Sequence, residues 1–140
     1  MFGSNNVQSV TLHIDLDPAG NDVYHVWRAP VAATVQRVVA MSNKTQNAGT
    51  AIAIELHNYG TAGTAIKSSG GTIGGGLGGT ASASRLTADV PAASTSFTNP
   101  YLAAGEYVRL ALTEEGSGWQ AGENLTVQVE YVLGKQAANA

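Results

Sequence analysis

Residues 50–60 read TAIAIELHNYG, and residues 61–80 read TAGTAIKSSGGTIGGGLGGT. In the first stretch Ile52, Ile54 and Leu56 fall on one side while Ala51, Ala53, Glu55 and His57 fall on the other, the period of two of a half-buried strand. The second stretch offers almost no side chain to bury and reads as a long, compliant surface loop. A rigid sheet beside such a loop suits surface docking better than bond making.

The same alternation recurs on both sides of this join. Val10 to Asp17 alternates Val10, Leu12, Ile14 and Leu16 with polar residues and stops at Pro18-Ala19-Gly20-Asn21, a turn by composition. Asp22 to Arg28, carrying Tyr24 and Trp27, predicts a second strand that Pro30 closes. Thr34 to Ser42 predicts a third, with Val35, Val39 and Met41 on one face and Val38 on the other. Beyond the glycine tract, Ser82 to Val90 and Ser94 to Thr98 predict short strands around Leu86 and Phe97. Tyr107 to Thr113 alternates again, and Glu114 to Glu123 reads as a polar loop containing Trp119. The strongest alternation closes the chain, with Leu125, Val127, Val129, Tyr131 and Leu133 set against Thr126, Gln128, Glu130 and Val132. Seven or eight short strands and no helical apolar period predict an all-β, antiparallel two-sheet sandwich, best matched by a jelly roll.

Size and composition set the outer limits. At 140 residues the chain is one domain, with a sandwich over 10–134, an N-terminal arm over 1–9 and a tail over 135–140. There is no cysteine, so neither a disulfide nor a thiolate metal site can hold the fold. Charged residues are 12% of the chain, about half of the ~25% usual in soluble domains, and the net charge is −3. The seven Lys and Arg form no basic stripe, which argues against nucleic acid. No apolar run is long enough for a membrane span, and MFGSNNVQSV lacks the basic and apolar regions of a signal peptide, so the expected mature chain begins as written.

Chemical motifs are sparse. Asp15, Asp17, Gly20 and Asp22 match part of a calcium loop, but Ala19 stands at the fifth position and the closing Glu is missing, so these read as solvated strand-end carboxylates. Gly74, Gly76 and Gly79 have dinucleotide-loop spacing without the helix that the phosphate would need. His13, His25 and His57 lie on strands without metal-ligand spacing and read as sheet histidines, although strand pairing could bring two together. No serine sits in a nucleophile elbow, and Glu114, Glu115 and Glu123 read as a solvated loop. The Asn124-Leu125-Thr126 sequon reads as the start of a strand. No catalytic residue, metal or cofactor is nominated, and an enzyme is not expected.

Four stretches carry a family resemblance: RAPVAATVQRVVAMSN with the preceding Trp27, IELHNYGTAGTAI, YLAAGEYVRLALTEEGSG and LTVQVEYVLG. Their order resembles the tailed-phage capsid decoration, or cement, proteins with a jelly-roll β-sandwich. The resemblance implies a subunit of a trimer on the capsid surface of the virion that bridges major capsid proteins and reinforces the shell. It carries over no active residue. The glycine-rich stretch and the length of the Glu114 to Glu123 loop depart from the pattern. Met1, Phe2 and Val7 of the arm are the expected capsid contacts, with Ile73 and Leu77 of the glycine tract as the second candidates. The alternative is a carbohydrate-binding module of a fibre or tail used in host attachment, with Tyr59, Tyr101 and Trp119 as glycan-stacking rings whose bland role is to anchor loops.

Overall fold

The structure, a computed structural model, describes residues 6–14, 22–43, 45, 50–61, 72–78, 86–116 and 125–134. These residues hold nine strands: β1 (Gln8–Ile14), β2 (Asp22–Arg28), β3 (Ala33–Ser42), β4 (Thr50–Asn58), β5 (Thr72–Gly78), β6 (Ala92–Ser94), β7 (Tyr101–Leu102), β8 (Tyr107–Gly116) and β9 (Leu125–Leu133). The first sheet runs β1-β9-β3-β6, with β7 also on β3, and the second runs β2-β8-β4-β5. Every pairing is antiparallel. The chain passes from one sheet to the other at nearly every connection, and strands far apart in sequence become neighbours, which is the jelly-roll winding of a β-sandwich.

Two layers can close on each other because one face of each strand is apolar. Ile54 and Leu56 of β4 and Val108, Leu110 and Leu112 of β8 meet Val35, Val38 and Ala40 of β3 and Leu125, Val127 and Val129 of β9 in one buried cluster. Each Val, Leu or Ile side chain among them contributes about 1.5–3 kcal/mol on burial, and no cysteine is present to supplement it. Leu86 and Leu102, from irregular or very short segments, are also fully buried and seal the cluster.

Four expectations are corrected. In β3 Val35 is buried, but so are Val38 and Ala40, whereas Val39 is half-buried and Met41 exposed. The cause is a bulge: Val35 pairs with Tyr131 and Arg37 with Glu130, leaving Gln36 without a partner and reversing the alternation after it. The glycine tract is not all loop, since residues 72–78 form β5 on the edge of β4. Ladder bonds need only backbone groups, which glycine supplies, while the scarcity of side chains leaves the register loosely specified and shifted twice. Glu114 and Glu115 belong to β8, paired with Ile52 and Ala51, instead of opening a loop. The described part of the stretch expected as a strand up to Val90 is a tight turn, closed by the Thr87–Val90 bridge, with Asp89 at φ 60° donating its N–H to the Ser42 carbonyl.

Smaller differences follow the same logic. The short strand expected at Ser94 to Thr98 lies at Ala92–Ser94, where Val38 to Ala40 offer a free edge. β1 starts at Gln8, inside the stretch read as the arm. Residues 15–20, with the partial calcium loop, lie outside the described residues.

Candidate binding surfaces

One end of the sandwich is fixed by a buried carboxylate. Glu106 precedes β8 and is almost wholly buried. Its Oε1 accepts the Asn58 side-chain amide at 3.1 Å and the Ala103 backbone N–H at 2.7 Å. Asn58 Oδ1 in turn accepts the Gly60 N–H at 2.8 Å, so the turn after β4 is tied to the turn before β8. The Glu106 carbonyl accepts the Ala29 N–H at 2.8 Å, which brings in the end of β2. A buried carboxyl group is tolerable when donors meet it in this way. The arrangement is structural, because the carboxylate is spent on amides.

That end positions the outward face of the second sheet. Tyr59 continues β4 and Tyr107 opens β8, joined by Tyr59 N–H to the Tyr107 carbonyl at 3.0 Å. The Arg109 guanidinium lies over the Tyr59 ring, 3.8 Å from its centroid. The Tyr107 and His57 rings stand 6.3 Å and 6.4 Å from Tyr59. The register sets Arg109 between His25 of β2 and His57 of β4. Glu55 Oε1 is 3.8 Å from His57 Nε2, while Arg109 Nε is buried with no hydrogen-bond acceptor among the described residues.

The opposite surface feature is apolar. Val7, Val31 and Leu133 are 58%, 49% and 46% exposed. They gather at one end of the first sheet: Leu133 pairs with Ala33, Gly134 donates its N–H to the Ala32 carbonyl at 2.7 Å, and Gln8 pairs with Tyr131. From this edge the chain continues into both termini. Single exposed aliphatics are ordinary, but three near one end of a sheet offer apolar surface for contact with another molecule.

The sequence-predicted residues are placed as follows. Val7 is exposed just before β1. Ile73 and Leu77 lie in β5, where Leu77 pairs with Ile54. Tyr59 sits on the second sheet and Tyr101 in β7 of the first, so the structure puts these rings on different sheets. Met1, Phe2 and Trp119 lie outside the described residues. Of the histidines, His13 is on the first sheet, its Nδ1 3.1 Å from Thr126 Oγ1. Among the described residues no three His, Cys, Asp or Glu side chains gather where they could hold a metal ion. Arg109 escaped the sequence reading; the available signal was an arginine at an outward position of an alternating strand beside two tyrosine-bearing strand ends.

No protein-family model matches the chain, and no curated protein matches it. Among solved structures, it is similar to a chain of the cyanophage Pam1 capsid asymmetric unit, at 19% identity and a TM-score of 0.50, covering 96% of this chain and 89% of that one. It also matches a chain of infectious bursal disease virus strain Gx at 12% identity and a TM-score of 0.42, covering 95% of this chain but 33% of that one. The first likeness supports the fold described above, over almost the whole length of both chains.

Proposed function

We propose that this protein is a structural virion component, a capsid decoration or cement protein that binds the outside of a phage head and bridges and stabilises its major capsid proteins as a homotrimer. The observation that carries this reading is the near end-to-end likeness to a chain of similar length from a phage capsid asymmetric unit. The use of the chain supports it too: most of the described apolar strand positions go into the core, and the buried carboxylate goes into a turn. A cement acts by binding the assembled lattice in preference to free subunits, and many copies with modest interfaces add up. The arm with Met1, Phe2 and Val7 is the first contact, supported by the apolar edge from which it departs. The edge strand with Ile73 and Leu77 is the second. No catalysis is assigned to it.

The test is reconstitution. Purified protein is added to expanded heads that lack it, and occupancy is read by co-sedimentation and by electron microscopy with symmetry averaging. Density at fixed lattice sites, with a raised temperature of head rupture, is the expected result. Deleting residues 1–6 lowers occupancy without lowering the unfolding temperature of the free protein. Absence of binding to heads at saturating protein would refute the reading.

A further inference from the structure

The outward face of the second sheet holds a cation that stacks on a tyrosine and pairs with no described carboxylate. Arg109 stacks on Tyr59, its buried Nε has no hydrogen-bond partner among the described residues, and the ion pair seen on this face, His57 with Glu55, leaves Arg109 out. Glu55, the described carboxylate nearest in register, lies beside His57 instead. On either side in the register stand His25 and His57, and Arg28 pairs with Tyr107 one step along β8. The buried Nε is out of reach of an outside group, but the outer nitrogens of the fork can give a carboxylate charge-assisted hydrogen bonds, which are stronger than neutral ones. Tyr59 pre-orders the fork by holding its plane, so little side-chain freedom remains to be lost on binding.

We infer that this face docks an acidic segment of a partner protein, with Arg109 taking a Glu or Asp carboxylate and Tyr59 and Tyr107 flanking it. The chemistry favours a carboxylate over a phosphate backbone, because one ordered fork fits one carboxylate while a polyphosphate needs a stripe of cations that this chain of net charge −3 lacks. Protein is favoured over sugar because Tyr59 has given one ring face to Arg109, and a pyranose needs an open face to stack on. Tyr and Arg together are also the residues that dominate protein interfaces. The inference stands apart from the virion reading, since it concerns a different surface from the apolar edge and uses no particle.

The probe is a hexaglutamate peptide, added to isotope-labelled protein and followed by NMR. The expected result is saturable shifts at residues 55–59 and 107–111 and at the Arg109 side-chain N–H, weakened by added salt. Arg109→Gln is expected to lower affinity at least about tenfold and Arg109→Lys by less, both with native-like spectra. An oligogalacturonate of equal charge is run in parallel. Shifts confined to other surfaces, unchanged affinity in Arg109→Gln, or binding of the oligogalacturonate but not the peptide would each overturn the inference.

Discussion

Trp27 of β2 and Tyr131 of β9 stack with ring centroids 4.2 Å apart and planes 28° from parallel, one ring from each sheet. A bulge makes this possible. In β2 His25 pairs with Arg109 and Trp27 with Val108, so Val26 is the extra residue and Trp27 joins the face that carries buried Val108. Tyr131 pairs with Val35, the residue just before the bulge in β3. The stack therefore closes the sandwich where both sheets change alternation.

Replacing Trp27 by Ala is expected to destabilise the fold by about 3 kcal/mol. Tyr131→Phe keeps the ring and loses only the hydroxyl that donates to Gln8 Oε1, so it costs under about 1 kcal/mol. Denaturant unfolding of both variants checks this; equal losses would mean that the stack is not the source.

Glu106 provides a second test. Glu106→Ala strands the Asn58 amide and the Ala103 N–H in a buried site and is expected to cost about 2–4 kcal/mol. Glu106→Gln keeps an acceptor oxygen and should retain most of that stability. Equilibrium unfolding with urea distinguishes the two.

The bulge at Gln36 makes a prediction of sign. Val38 is fully buried and Val39 half-buried, so Val38→Ala is expected to lower stability by about 2 kcal/mol and Val39→Ala by under about 1. An unbroken alternation would give the reverse order in thermal unfolding.

Two glycines test the left-handed backbone, one in open space and one in contact with neighbours. Gly134 has φ +85° and nothing within 4 Å of an added Cβ, so Gly134→Ala reports the left-handed backbone alone, about 1 kcal/mol. Gly105, at φ +88°, would also bring that carbon to 3.4 Å from Arg28 Nη2 and Thr61 Cγ2, and its N–H donates to the Ala29 carbonyl at 2.6 Å. Gly105→Ala is therefore expected to cost no less than Gly134→Ala when their melting temperatures are compared.

Strand existence was legible wherever side chains alternate over many residues, as at residues 50–58 and 125–133, because a single buried face imposes a period of two. It was not legible in TIGGGLG, which pairs through its backbone and carries no pattern to read. The binding face shows the same divide. Tyr59 stood out as an aromatic beside a turn, but Arg109 acquired meaning only when β4 and β8 paired and laid it on that ring.

By itself, the sequence determined the class of fold, the apolar faces and the absence of a cysteine staple, since these depend on residue type and local spacing alone. Tertiary structure decided the winding of the two sheets, the bulges at Val26 and Gln36, and the meeting of Glu106 with Asn58 across 48 residues. Those features depend on which distant strand supplies each backbone partner, and a period of two is the same whichever strand that is.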